Sequence, residues 1–451
     1  MIFPMEGKEV HRNRWNITMF IISFVISNLV SGIIYDTYVN YLQEVAVRIA
    51  TSFWAFYGYA TFLSAFALFL VPKIGYKKLI IFCSFSCTVS LVSVICLDTP
   101  KVFYLTTLLA LIGLQLHYTM LSPYVATFTE GMGEGRIKWY TRAYYMGYVG
   151  YFLATYLGGV FTVKMFSFRA DLTYAAAKKA TEYIAEMTPF LKNAYLQGNR
   201  DVLFFTAVIS GVAILPALFI QEKKEDYAMQ AKQTNKESLF HNLQQIVQIL
   251  LKKDALLYLS YWAMVSFGMG LFSSYFTIYL NRNLHIDKAT SSLMVSISYL
   301  AIVIFMLFTP FIVKKLGQAV TISTMLLFSI PFMLIIANGE KFGAFTIPVV
   351  GAALFMRAGI ANISSPADNS LAMSIADKEF RPIYASVVNF TAGLASIVSG
   401  LFTGNVLFVT QEGYKNAYYL AAILYFIASV IVLFGLKKYN RIPTTMTDEE
   451  E

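Results

Sequence analysis

The chain has 451 residues, 57% of them hydrophobic and only 14% charged, where a soluble domain carries about 25% charged residues. That balance excludes a soluble globular enzyme and marks a membrane protein. The net charge of +9 therefore has to be read by location along the chain rather than as an affinity for nucleic acid, which is not an expected partner.

Runs of about 20 apolar residues predict twelve membrane helices, over residues 17–41, 52–71, 79–97, 102–128, 143–163, 202–220, 255–280, 290–313, 319–337, 344–374, 383–409 and 416–436. The first follows a polar stretch with His11, Arg12 and Arg14. It is longer than a signal-peptide core and no small-residue cleavage site follows it, so it is expected to stay in the mature protein. Cys83, Cys87 and Cys96 fall in span three and read as small buried hydrophobes, pointing to neither a disulfide framework nor a metal site. With the N-terminus inside, the inner segments hold 22 Lys and Arg and the outer ones 12, six of those in the loop 164–201. The short outer loops thus carry six basic residues against 22 inside, a positive-inside bias. Both termini are expected in the cytoplasm, in a bacterial inner or plasma membrane.

The spans group as six plus six. The expected organisation is an N-terminal six-helix bundle over 1–220, a cytoplasmic linker over 221–254, a C-terminal bundle over 255–438 and a disordered tail over 439–451. In the linker, Leu239, Leu243, Ile246, Val247 and Leu250 share one face of Leu239–Lys253, predicting an amphipathic helix at the inner membrane surface. The outer loop 164–201 predicts a short helix around Asp171–Met187, stopped near Pro189. An internal repeat joins the halves. Gly75 and Gly317 are 242 residues apart, and Ser122-Pro123 and Ser365-Pro366 are 243 apart. Gly150, Ala154 and Gly158 of span five correspond to Ala392, Ser396 and Gly400 of span eleven. Small residues every fourth position let helices approach closely in lipid, and two parallel six-helix repeats are a transporter plan.

The turns VPKIGYKKL (Val71–Leu79) and VKKLGQA (Val313–Ala319), with the passage YLNRNLHIDKATSSLMVSISYL (Tyr279–Leu300) before Pro310, give the chain a resemblance to the major facilitator superfamily over essentially its whole length. Pro72 stands where that family's loop has an acidic residue, and Leu68 at its leading glycine. Span five, GYVGYFLATYLGG, is similar to the family's antiporter signature at Gly150, Gly158 and Gly159, with Ala154 and Thr155 replacing a glycine and a proline. The resemblance implies an all-α membrane fold of twelve helices in two pseudo-symmetric bundles, with helices one, four, seven and ten lining a cavity that opens to each side in turn.

Charged groups inside spans cost about 2.5–3.5 kcal/mol each, so the few that occur are informative. Among 35 Lys and Arg only Arg357 lies deep in a span, and among 26 Asp and Glu only Asp36 and Asp368 fall within spans. Arg357 is expected roughly 14 Å into span ten and Asp368 about 16 Å further on, near the inner boundary. Arg357, Ala361, Ser364 and Asp368 follow a helical face, with Asn362, Ser365 and Asn369 beside it. Span four adds Gln115, His117 and Tyr118, span one Asn28 and Asp36, and span seven Ser266, Gly268 and Gly270. Arg357, Gln115, Asn28, Asn362, Ser266 and Tyr118 are the candidate substrate-binding residues; Asp36, His117 and Asp368 are candidates for proton coupling or gating. Tyr144, Tyr145, Tyr148 and Tyr151 form an aromatic stripe on span five, and Arg142 reads as an anchor at its start.

An intramembrane enzyme would need aspartates at matched depth, or a motif such as HExxH or GxSxG suitably placed. Neither is present, and no cofactor or metal is expected. The leading expectation is a monomeric secondary transporter working by alternating access, taking up a small organic anion together with protons. Efflux of drugs or lipids, transport of a neutral polar solute, and a non-transporting receptor are the alternatives. The anion reading turns on what balances Arg357: the fork of donors on its guanidinium suits a carboxylate or phosphate, whereas pairing with Asp36 or Asp368 would leave the site neutral.

Overall fold

In a membrane every backbone N–H and C=O must find a partner within the protein, which leaves an apolar run one practical choice, the α-helix. A computed structural model describes residues 7–97, 99–129, 135–227, 252–375 and 381–440, and among these there is no strand. Eleven helices among the described residues are long and apolar enough to cross a membrane. The remaining predicted span, 52–71, is the helix Phe53–Ala67, prolonged by a 3-10 turn at Leu68–Leu70 and the short helix Val71–Ile74. Its 15 α-helical residues rise only about 22 Å, short of a hydrocarbon core of about 30 Å until those pieces are added. The predicted linker helix lies outside the described residues up to residue 251, as does the tail beyond Asn440.

The outer loop is shorter than predicted, because the helix Pro189–Val212 begins thirteen residues before the expected start at 202. The preceding segment stops just before Pro189, at Glu186, and Pro189 itself starts the next helix. It occupies the first turn, where its missing N–H is not needed, and the Thr188 hydroxyl accepts from the Leu191 amide at 3.4 Å. The polar residues that masked this helix are accommodated by pairing: Lys192 with Glu44, and Arg169 with Asp201 at 2.7 Å. The short helix predicted in the loop is Tyr174–Ala180, continued by a 3-10 segment at Thr181–Glu186.

The chain divides into two compact units, Met1–Lys236 with Asp287–Leu293, and Glu237–Ile286 with Met294–Glu451. One boundary falls in the polar linker and the others bracket the first turns of the helix Lys288–Met306. In the first unit, spans one and five lie in close contact through their small residues. A Cβ on Gly32 would stand 2.8 Å from the Tyr151 carbonyl oxygen and 2.9 Å from the Ala154 methyl, so only glycine admits this approach. In the second unit the corresponding pair is Lys253–Phe272 against Arg381–Asn405, where the Ser399 hydroxyl donates to the Phe267 carbonyl at 2.8 Å.

The repeated glycines Gly75 and Gly317 have φ of 83° and 79°, and each caps the helix that follows. Both helix starts are closed by a side chain from far along the chain. The Glu222 carboxylate accepts from the Tyr76 and Lys77 amides at 3.0 and 3.1 Å, and Asn440 accepts from the Val320 amide at 3.1 Å. Glu222 thus supplies the acidic group that Pro72 does not. Burial pushes the Glu222 carboxyl above its ordinary value, against the pull of the two amide donors. A raised folded-state value means that the group stabilises the fold fully only below the ordinary carboxyl range, and the contribution is lost as pH rises through the folded value. Glu222→Gln keeps the acceptor without the charge and should be no less stable than wild type at neutral pH. Glu222→Ala strands both amides and should cost about 0.5–2 kcal/mol, read from thermal melts of the detergent-solubilised protein.

Candidate functional site

The second unit contains the isolated arginine. Span ten is the helix Thr346–Ile363, which gives way at Ser364 to a second helix, Ser365–Ile375, with Pro366 in its first turn. Arg357 is 8% exposed. Its guanidinium carbon lies 4.7 Å from the centre of the Phe272 ring and 5.4 Å from that of Phe276. Phe272 ends the helix Lys253–Phe272 and Phe276 begins Phe276–Arg282, so the break at 273–275 places two ring faces beside one cation. Tyr418 stacks on Phe272 at 5.6 Å, and Tyr425 meets the same ring edge-on at 6.4 Å. Among the described residues no carboxylate pairs with Arg357, and neither its Nε nor the buried Tyr418 hydroxyl has a hydrogen-bond partner. Cation–π contact supplies about 0.5–2 kcal/mol per ring, which for two rings is comparable with the 2.5–3.5 kcal/mol or so that such a charge costs in a membrane. Ring faces offer no lone-pair acceptor, however, and Nε is left without one. The cage alone leaves Arg357 with an unmet donor.

Asp368 does not fill that gap. Its two carboxylate oxygens accept from the hydroxyls of Tyr258 and Tyr261, each at 3.1 Å. The face shared by Arg357 and Asp368 in sequence is interrupted at Ser364, and the two residues take partners near opposite ends of the helix Lys253–Phe272. Ser266, on that helix, is buried, and Asn362 donates to the Ala358 carbonyl of its own helix at 2.8 Å.

In the first unit, Asp36 is 2% exposed and lies in a π-helical segment, Ile34–Tyr38, of span one. Its Oδ2 accepts from the Lys288 ammonium at 2.7 Å and the Ser292 hydroxyl at 2.8 Å, while Oδ1 has no hydrogen-bond partner. Asp36 is therefore neutralised by Lys288, a residue that sequence reading leaves in a polar loop two positions before span eight. Helix Lys288–Met306 begins earlier than predicted, and its first residue is fully buried.

The other predicted residues of this unit form two groups. The Gln115 amide donates to the Tyr35 hydroxyl at 3.0 Å, and Tyr35 stacks on Tyr151 at 6.0 Å and meets Tyr57 edge-on at 6.3 Å. His117 is 1% exposed, with both nitrogens unpartnered, edge-on to Phe20 and Phe24 at 5.5 and 5.9 Å. Asn28 donates to the Phe24 carbonyl one turn earlier at 2.8 Å, and Tyr118 is half exposed. Residues that the sequence did not single out are Lys288, Tyr258, Tyr261, Phe272, Phe276 and Tyr418. Tyr258 with Tyr261, and Phe272 with Phe276, do carry a signal, the three- and four-residue spacing of a helix face.

The family model of the Major Facilitator Superfamily matches residues 194–400 and, in an overlapping placement, 257–449, together more than half of the chain. The chain belongs to the Major Facilitator Superfamily. Membership makes it a multi-pass membrane transporter, not an enzyme. No curated protein matches it by sequence. Among solved structures its fold is similar to that of the nucleoside transporter NupG, at 14% identity and TM-score 0.67 over 94% of this chain and 99% of that one. It is similar also to a D-xylose-proton symporter, at 13% identity and TM-score 0.66 over 93% and 98%. A bacterial homologue of the human lysosomal transporter Spinster gives 11% identity and TM-score 0.67 over 95% and 98%. At such identities the likeness is one of fold. For a superfamily transporter, the informative residues are then the buried polar groups that lipid would not tolerate without a reason.

Proposed function

We propose that this superfamily member is a secondary transporter that takes up a small organic anion, held in its second unit by Arg357, with protons as the coupling ion. Arg357 carries the reading: a buried guanidinium with aromatic faces around it, no carboxylate partner among the described residues, and an unsatisfied Nε donor. A solute carboxylate or phosphate would complete it through charge-assisted hydrogen bonds, the strong kind. The excess of basic residues in the inner segments supports cytoplasmic termini, and the two six-helix halves read from sequence support a chain that works as a monomer.

A second reading, a neutral polar solute, is favoured by the uncharged group of Gln115, Tyr35, Tyr57 and Tyr151 in the first unit. Two of the proteins with a similar fold are a nucleoside transporter and a D-xylose-proton symporter. Flux separates these. Purified protein in liposomes, offered matched pairs of small carboxylates or phosphates and their neutral amides or alcohols, should accumulate the anionic member of a pair and be saturable for it. Equal uptake of both members would refute the anion reading. Binding without any flux would make the protein a receptor.

A further inference from the structure

Asp368 is 5% exposed, and no basic side chain pairs with it among the described residues. Its surroundings can be followed element by element. The helix Lys253–Phe272 presents Tyr258 and Tyr261, whose hydroxyls occupy both carboxylate oxygens. Helix Arg381–Asn405 contributes Tyr384, its ring 6.2 Å from that of Tyr258. From helix Gln318–Ala337 the facing group is the neutral Gln318, which donates to Ser370 at 2.8 Å. Among the described side chains, none of the following basic residues on the neighbouring elements pairs with Asp368. Lys253, Lys314, Lys315 and Lys437 are exposed, and Lys438 pairs with Asp254, which also accepts from the Tyr439 hydroxyl at 2.8 Å.

A buried carboxylate held only by neutral hydroxyls is an acceptor of charge without a counter-charge. The geometry also provides for the protonated form. Tyr258 has a second acceptor within reach, the backbone carbonyl of Asp368 itself at 3.3 Å. When a proton joins Oδ1, the new O–H can donate to the Tyr258 oxygen while the Tyr258 hydrogen turns to that carbonyl. Tyr261 keeps its bond to Oδ2. Both states then leave the carboxyl oxygens of Asp368 and the hydroxyls of Tyr258 and Tyr261 each with a partner. The same helix carries Phe272 of the Arg357 cage at its other end, where Tyr425 meets that ring edge-on.

We infer that Asp368, clasped by Tyr258 and Tyr261, is the proton-loading site of this transporter, and that its occupancy reports to Arg357 through the helix Lys253–Phe272. The inference rests on the transport reading above for its coupling half alone. The proton taken from one side binds one carboxylate oxygen and leaves unchanged on the other, so no further reactant is needed.

Two measurements test it. In liposomes, wild type should move protons together with the anion, and in Asp368→Asn the ratio of protons to anions moved should fall to near zero. An unchanged ratio in the variant, or no proton movement in wild type, overturns the coupling role. Infrared difference spectra of the solute-free protein test the site without any transported anion. Acidification should produce a buried carboxylic C=O band that is lost in Asp368→Asn. In the Tyr258→Phe/Tyr261→Phe double variant the band should persist but move to higher wavenumber, because its hydrogen bonds are gone. A band that survives in Asp368→Asn, or no band in wild type, overturns the site itself. If the anion proposal fails while the band behaves as described, Asp368 remains the proton site for a different solute.

Discussion

Arg357→Met should leave the protein folded, with a melting temperature at or above that of wild type, and should cut anion uptake by about 100-fold. The two halves of this result have different causes. Methionine is close to arginine in length, and its thioether makes favourable contacts with aromatic rings, so Phe272 and Phe276 keep a partner. The variant also removes a buried cation that has no carboxylate among the described residues. Removing an unpaired charge relieves a cost; it does not strand a counter-ion. Uptake falls because a hydrogen bond to a charged group contributes about 1.5–3 kcal/mol, and each 1.4 kcal/mol or so is tenfold in affinity. Thermal melts and flux on the same preparation check both halves. A large loss of stability in Arg357→Met would make the arginine a strut for the fold and remove the argument for an anionic solute.

Lys288→Met should do the opposite and destabilise the protein strongly. The side chains of Lys288 and Asp36 are 1% and 3% exposed, 2.7 Å apart. Taking away the ammonium leaves a buried carboxylate with only hydroxyl donors, those of Ser292 at 2.8 Å and Thr37 at 3.4 Å. Breaking one side of such a pair costs about 3–5 kcal/mol, a fall in melting temperature on the order of 10 °C. The double variant Asp36→Asn/Lys288→Met should recover most of that loss, because no charge is left to compensate. The interaction term of this cycle is the measurement. If the two single effects simply add, the pair is not coupled and Lys288 is not what balances Asp36.

These contrasting outcomes follow from partners that the sequence did not disclose. Lys288 is 252 residues from Asp36 and lies in a polar run before an apolar one, so hydropathy assigns it to a loop. Tyr258 and Tyr261 are 110 and 107 residues from Asp368, and their spacing marks a shared helix face without pointing to the carboxylate it meets. His117 shows the converse. Its sequence context of Gln115 and Tyr118 suggests a polar layer, yet its ring stands against Phe20 and Phe24, because successive residues of a helix point in different directions. The early start of helix Pro189–Val212 was hidden in the same way, by polar residues whose partners are supplied by other helices.

What the sequence determined by itself is the membrane class, nearly all of the spanning helices, the repeat of glycines at 75 and 317, and the isolation of Arg357 within an apolar run. Those follow from solvation by lipid, which acts on each segment separately and is written in its local composition. The tertiary structure alone decided how each buried charge is met: Arg357 by ring faces, Asp36 by Lys288, Asp368 by two phenols. Such compensation depends on which side chains the packing of distant helices brings within about 3 Å, and a hydrogen bond or ion pair of that range leaves no mark on the local sequence of either partner.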